Sequence, residues 1–125
     1  MNYSDHIPGI TSFDKNHLIK HGVKKTHIVK ERVESITINN LILKHKLFNF
    51  DLLFVDVEGY DANIVIDFFS NTSLRPIIVL EYIHIKNDIF KNLVNILELN
   101  KYIFFSINEN MICFPEEDKN LISFN

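Results

Sequence analysis

Two short segments of this 125-residue chain concentrate side chains that can do chemistry. One is 56–61, Asp-Val-Glu-Gly-Tyr-Asp, and the other is 81–84, Glu-Tyr-Ile-His. Asp56 and Glu58 are two residues apart, so they project to the same face wherever the backbone stays extended. A carboxylate or an imidazole can act as general base on a hydroxyl group, and paired carboxylates can hold Mg²⁺. Carboxylates can also accept hydrogen bonds from the hydroxyl or amino groups of a ligand.

A structural role explains the same residues equally well. Asp56 and Asp61 can position the start of a helix, in which case Glu58 is simply solvated. Gly59 suits a backbone that needs a positive φ or a close approach in a strand-to-helix turn. A short acidic pattern of this kind is not specific, so the residues alone leave both interpretations open.

The elements around these segments predict a βαβ unit. Residues 51–57 are apolar on both faces, as in a strand buried on both sides of a parallel sheet. Residues 77–82 form a second apolar strand, and a helix capped by Asp61 lies between the two. The carboxyl ends of two parallel strands lie at the same edge of the sheet, so one rim should carry Asp56, Glu58, Glu81 and His84. Ligands of open parallel sheets bind at this edge.

The flanking sequence completes an α/β fold whose sheet is mainly parallel with a C-terminal antiparallel hairpin. The apolar spacing and the capping residues predict one domain over residues 1–125. The expected elements are a helix over 12–21 stopped by Gly22, one or two exposed strands over 26–38, a helix capped by Thr37, a helix over 88–99 stopped by a left-handed Asn100, and a hairpin of 102–107 and 111–114.

Composition excludes several classes of function. Thirteen basic against sixteen acidic residues give no field that recruits nucleic acid or an anionic membrane. Cys113 is the single cysteine, so the chain has no internal disulfide and no cysteine zinc site, and we assign no metal ligands. No apolar run approaches the roughly 20 residues of a spanning helix and no signal peptide is visible, which predicts a cytoplasmic protein.

The glycine count is the most restrictive number in the composition. Gly9, Gly22 and Gly59 lie far apart, so the chain has no glycine-rich phosphate or dinucleotide loop.

Three segments share their order and spacing with a known family. They are 37–42 (Thr-Ile-Asn-Asn-Leu-Ile), 50–61 (Phe-Asp-Leu-Leu-Phe-Val-Asp-Val-Glu-Gly-Tyr-Asp) and 75–81 (Arg-Pro-Ile-Ile-Val-Leu-Glu). Over about residues 33–81 the chain resembles the FkbM-type methyltransferase domain, whose pattern is T-L-D-D-L-L, D-L-L-K-I-D-V-E-G-A-E and R-P-x-I-x-x-E. The chain departs from this pattern at Asn39, where the family has its first aspartate, at Phe54, where it has lysine, and at Asp61, where it has the final glutamate.

The resemblance implies a Rossmann-like class I methyltransferase sheet, S-adenosylmethionine as methyl donor and a hydroxyl acceptor on a sugar or small metabolite. It places Asp56 and Glu58 on the acceptor and methyl side of the cleft, with Asp56 as base or acceptor-positioning residue. Glu81, His84 and Gly59 would then contact the acceptor.

The resemblance covers the carboxyl-terminal half of such a domain. It implies that most of the donor site lies outside this chain, so the chain is expected to be a fragment or one half of a split enzyme. The alternative is a non-catalytic, methyltransferase-derived interaction module. Both hypotheses predict self-association or a partner that covers an exposed sheet edge.

Overall fold

The computed structural model describes residues 11–12, 15–57 and 59–121 of the chain. It divides into two compact units, Met1–Glu34 and Ser35–Asn125. In the first unit, helix α1 spans Lys15–Lys20 and a single 3-10 turn spans Lys25–His27.

Gly22 ends helix α1, as the sequence predicts. Its φ is +84°, and its N–H donates to the Ile19 carbonyl at 3.1 Å, while the Val23 N–H donates to the Leu18 carbonyl at 3.0 Å. This pair of hydrogen bonds around a left-handed residue is the Schellman stop of a helix. The helix is shorter than the expected 12–21, and residues 13–14 lie outside the described residues.

The strands expected over residues 26–38 are wrong. Residues 28–37 have neither helix nor strand, and Val29 and Val33 are 89% and 60% exposed. β-Branched residues favour strands chiefly where they pack on a pleated, half-buried surface, and this segment has no such surface.

The second unit contains the sheet and the longer helices. Thr37 caps the first of these helices as predicted, because its Oγ1 accepts a hydrogen bond from the Asn40 N–H at 3.2 Å. In chain order the elements are α2 (Ile38–His45), β1 (Leu52–Val55), α3 (Asp61–Asn71), β2 (Ile77–Glu81), α4 (Asn87–Leu99), β3 (Tyr102–Ile107), β4 (Asn110–Pro115) and a 3-10 helix (Glu116–Leu121).

The strand order is β1-β2-β4-β3. Strands β1 and β2 are parallel, which confirms the βαβ unit, and β3 and β4 form the predicted antiparallel hairpin. However, β4 also pairs antiparallel with β2, so the sheet is mixed rather than mainly parallel. The hairpin does not simply extend the sheet: its second strand lies between β2 and β3.

The hydrophobic core lies on one face of this sheet. There the strands meet α2, α3 and α4 in a single cluster that includes Val55, Ile78, Leu80, Met111 and Cys113 from the sheet and Ile42, Ala62, Val65, Phe68, Leu93 and Leu97 from the helices. Burial on this scale, at about 1.5–3 kcal/mol per large side chain, is the main stabilising contribution to the fold. Cys113 is fully buried in this cluster.

The opposite side of the sheet is apolar but not covered in the same way. We call it the apolar face, and side-chain alternation and strand register assign to it Leu52, Phe54, Ile77, Val79, Ile103, Phe105, Ile107, Ile112 and Phe114. Phe114 on this face is buried, with 3% of its surface exposed. Leu52 and Phe54 are 56% and 61% exposed. The expectation that β1 is buried on both sides is therefore wrong, because β1 is the outermost strand and packs on the core with one face only.

Helix α4 begins one residue before the predicted start and ends where predicted, at Leu99. The expected left-handed Asn100 is wrong: its φ is −90°, and Lys101 has the positive φ of 56°. Asn100 instead closes the helix through its side chain, whose Nδ2 donates to the Ile96 carbonyl at 2.8 Å. Across the described residues, none of the helices is both long and apolar enough to cross a membrane.

Arg75, just before β2, links the amino end of this strand to the end of α4 and to the final 3-10 helix through hydrogen bonds. Its Nε and Nη2 donate to the Glu117 carboxylate at 2.7 and 2.9 Å, and its Nη1 donates to the Asn100 carbonyl at 2.7 Å. The guanidinium lies 5.1 Å from the centre of the Tyr102 ring, whose hydroxyl donates to the Pro76 carbonyl at 2.8 Å. The Arg-Pro pair of the third motif is therefore a structural joint between β2, α4 and the final 3-10 helix.

Candidate functional site at the carboxyl edge of the sheet

Strands β1 and β2 end side by side. Their last paired residues are Val55 and Leu80, so Asp56 and Glu81, which follow them, lie at the same level. We call this end of the sheet the carboxyl edge. Asp56 is exposed there, and the Glu81 side chain is 19% exposed.

The turn after β1 is held by a buried carboxylate. The Asp61 side chain accepts hydrogen bonds from the Gly59 N–H at 3.1 Å and the Val57 N–H at 3.4 Å, and the residue is fully buried. The amino end of α3 also favours negative charge at this position. The expected role of Asp61 as helix cap is wrong: Tyr60 is the cap residue and Asp61 the first residue of α3, and its carboxylate reaches back to the turn.

Gly59 has a φ of +96°, which confirms that the turn needs a left-handed backbone. A Cβ added there would lie 3.7 Å from the Cβ of His84, an ordinary van der Waals separation. The turn after β1 therefore sits directly beside the loop after β2.

His84 lies close to Glu81 as well as to Gly59. Its Nε2 is 3.9 Å from Glu81 Oε1, a distance at which a protonated imidazole forms an ion pair with the carboxylate. The His84 side chain is 40% exposed and reaches solvent. The structure thus brings Gly59, Glu81 and His84 together and places Asp56 level with Glu81, while Glu58 lies outside the described residues.

The hairpin contributes residues that the sequence reasoning missed. Asn110, the first residue of β4, pairs with Glu81, and the Tyr82 N–H donates to the Glu109 carbonyl at 3.0 Å. Directly opposite residues of antiparallel strands share a face, with Cβ atoms about 5 Å apart, so Asn110 adjoins Glu81. The polar turn 108–110 was the available signal, but only the pairing of β4 with β2 brings it to this edge.

The carboxyl edge is suited to bind hydroxyl groups. Carboxylates accept hydrogen bonds, the Asn110 amide both donates and accepts, and the imidazole of His84 does either according to its protonation state. Asp56 is the accessible carboxylate at the end of β1, and it can accept a proton from a bound hydroxyl.

Comparison with known families assigns the chain. The family model described as Methyltransferase FkbM domain matches residues 2–104. The chain therefore belongs to the FkbM methyltransferase family. The match extends well beyond the segment of about 33–81 in which the motifs lie, into both compact units and as far as β3. Neither the curated proteins nor the solved structures gave a match to this chain.

Proposed function

We propose that this chain takes part in S-adenosylmethionine-dependent methyl transfer to a hydroxyl group of a sugar or small metabolite, and that its carboxyl edge holds the acceptor. The observation that supports this is membership of the FkbM family together with the grouping of Asp56, Glu81 and His84 where the parallel strands end. In α/β sheets, ligands bind at this end of the strands.

Asp56 is the proposed base or acceptor-positioning residue. S-adenosylmethionine, when bound, would supply the methyl group, and the Asp56 carboxylate would accept the proton that the acceptor hydroxyl loses as its oxygen is methylated. Alignment of oxygen and methyl group supplies much of the rate in such a displacement. Glu81, His84 and Gly59 are the proposed acceptor contacts, and Glu58 is a further catalytic candidate from the motif.

The described residues fit the acceptor side of such a site better than the donor side. The family implies S-adenosylmethionine, whose methionine end would need a glycine-rich turn after a strand. None of the three glycines is part of a Gly-x-Gly segment; Gly22 follows a helix and Gly59 lies against His84. We therefore assign no donor-binding residue and derive no step from the donor pocket.

Calorimetry tests the proposal directly. Binding of S-adenosylmethionine to the purified chain with a Kd of about 1 mM or tighter would show that this chain carries a donor pocket of its own. Since a split enzyme would carry its donor pocket on another chain, the titration tests methyl transfer by this chain alone. The absence of heat up to millimolar concentration would exclude autonomous catalysis.

A second candidate function is a non-catalytic interaction module. It is favoured by the position of β1 at one edge of the sheet, where no other described strand pairs with it and where Leu52 and Phe54 are exposed. This candidate predicts concentration-dependent self-association without donor binding. Sedimentation velocity of the wild type and Phe54→Lys checks it: a monomer at all concentrations would exclude self-pairing through this edge.

A further inference from the structure

The end of helix α2 exposes apolar side chains. The chain turns back at this point, because Lys46 has a φ of 55° and the Leu47 N–H donates to the Ile42 carbonyl at 2.9 Å. Such a Schellman turn keeps the residues that follow the helix close to its last turn. Leu43 in that last turn and Leu47 and Phe48 after it are 55%, 42% and 63% exposed.

Positive charge is concentrated in the same part of the chain. We call residues 41–48, Leu-Ile-Leu-Lys-His-Lys-Leu-Phe, the basic apolar segment. Residues 35–50 contain Lys44 and Lys46 and no acidic residue, whereas residues 51–125 contain five basic and twelve acidic residues. No described carboxylate forms an ion pair with either lysine. The segment is therefore a local cationic and apolar surface on a unit that is acidic elsewhere.

We propose that the basic apolar segment docks the chain on an anionic bilayer surface. Lys44 and Lys46 lie among the lipid headgroups, and Leu47 and Phe48 enter the boundary with the acyl chains. Segments that lie on membranes combine apolar side chains with lysines that anionic lipids attract. The net charge of the chain predicts no such attraction, because composition does not show where the charges lie. The inference goes beyond the proposed function and requires neither donor nor acceptor.

The charges favour an anionic surface over a second copy of the chain. In a symmetric dimer a surface meets itself, so Lys44 and Lys46 of one copy would face the same lysines of the other. Like charges that face each other across an interface are unfavourable. Lys44 also suits the carboxyl end of α2, but that role needs no exposed apolar neighbours. An anionic bilayer complements both properties, since it offers headgroup charge and an apolar interior.

Tryptophan fluorescence tests the proposal, because the chain contains no tryptophan. Phe48→Trp introduces a single fluorophore in the segment, and Leu99→Trp is the matched control at an apolar residue of α4 that is 81% exposed. The probes are vesicles of phosphatidylcholine alone and vesicles of phosphatidylcholine and phosphatidylglycerol in equal parts. We expect a blue shift of the Phe48→Trp emission with the anionic vesicles at low salt. We expect none with phosphatidylcholine alone, and none for Leu99→Trp.

Vesicle sedimentation separates the contributions of charge and of apolar contact. Lys44→Gln combined with Lys46→Gln should weaken binding to the anionic vesicles about 25-fold, since each lysine near such a surface contributes about fivefold. Phe48→Ser should weaken it about tenfold, because apolar burial in the interface is lost. Lys86→Gln combined with Lys91→Gln is the matched control at the start of α4, where both residues are exposed. This control should bind within about twofold of the wild type.

Four results would overturn the proposal. Phe48→Trp without a blue shift on anionic vesicles would exclude docking through this segment. An equal shift with phosphatidylcholine alone would show apolar adsorption without a role for the lysines. Equal loss of binding in the Lys86→Gln and Lys91→Gln control would show a response to net charge alone. Binding to soluble polyglutamate as tight as to the vesicles, and unchanged in Phe48→Ser, would indicate an acidic protein partner.

The vesicle experiments and the titration with S-adenosylmethionine fail separately. Neither the fluorescence shift nor the sedimentation needs a methyl donor, so a chain without donor binding can still dock on the vesicles. A chain that binds the donor and ignores the vesicles would leave the proposed function standing and exclude the docking surface.

Discussion

Asp56 and Asp61 are five residues apart, but their surroundings differ. Asp61 is fully buried and accepts two backbone hydrogen bonds, so it shapes the turn between β1 and α3. Asp56 is exposed at the carboxyl edge, level with Glu81. The sequence alone left a structural and a chemical role open for Asp56 and predicted a structural role for Asp61. The structure shows the structural role of Asp61, and it leaves the side chain of Asp56 exposed.

Asp56→Asn should lower methyl transfer by about 100-fold in a reconstituted enzyme while the fold stays intact, because the amide cannot accept the hydroxyl proton. Transfer from radiolabelled S-adenosylmethionine and circular dichroism together measure this. Asp51→Asn is the matched control, since Asp51 is exposed at the opposite end of the same strand. Unchanged turnover in Asp56→Asn would assign Asp56 a structural role.

Asp61→Ala should destabilise the fold by about 2 kcal/mol, because it leaves the Gly59 and Val57 N–H groups without their carboxylate acceptor. Urea unfolding followed by circular dichroism measures the change. Asp88→Ala, an exposed aspartate in the first turn of α4, should cost less. Equal losses in the two variants would show that the buried hydrogen bonds contribute nothing beyond the helix-terminus effect.

Among the helices and strands, the predictions that proved correct are those for segments that pack against the rest of the sheet and its helices. The spacing of apolar residues correctly predicted α4, and the two runs around the polar turn correctly predicted the hairpin. The β-branched residues over 26–38 predicted strands that the structure does not contain. Strand formation there depends on a partner strand, which the local sequence does not specify. Asp61 and Asn100 both lie at helix ends, but each uses its side chain differently from the expected cap.

The stability contributed by the hydrogen-bonded pair of Arg75 and Glu117, which joins β2, α4 and the final 3-10 helix, should depend on pH. The hydrogen bond from Arg75 lowers the pKa of Glu117 from its ordinary 4.5 to about 2. A folded-state pKa below the unfolded value contributes stability above about pH 4.5, and this stability is lost as the pH falls from 4.5 towards 2.

Urea unfolding midpoints between pH 5 and pH 2 test this joint. The wild type should lose more stability over that window than Glu117→Gln, which has no carboxylate to protonate. Glu116→Gln, a change at the neighbouring exposed residue, should follow the wild type. Parallel curves for wild type and Glu117→Gln would show that the Arg75 joint adds nothing to acid stability.

At the scale of the whole molecule, the thiol of Cys113 is a probe of the core of the second unit, Ser35–Asn125, which contains the sheet and is called the sheet unit here. Cys113 is fully buried between β2 and β3, and burial raises the pKa of its thiol to about 12. The thiolate is the reactive form, so it is scarce in the folded chain near neutral pH.

Ellman's reagent at pH 8 should therefore modify Cys113 in proportion to the small fraction of molecules in which the sheet unit is open, and at once in 6 M guanidinium. The reaction rate against urea concentration gives the opening free energy, which should approach that from circular dichroism. A fast reaction in the absence of denaturant, at the rate of free glutathione, would contradict a closed core around β4.

The sequence predicts the family from three spaced motifs. It also predicts the βαβ unit and places the polar ends of the two strands of that unit at one edge. The motifs and the βαβ unit are local patterns. The shared edge follows from the parallel alignment of neighbouring strands. It takes the tertiary structure to show that β4 lies against β2, that Asn110 adjoins Glu81 and that Leu52 and Phe54 on β1 are exposed among the described residues. The physical reason is that strand pairing and face coverage depend on contacts between residues distant in the chain, which no local period encodes.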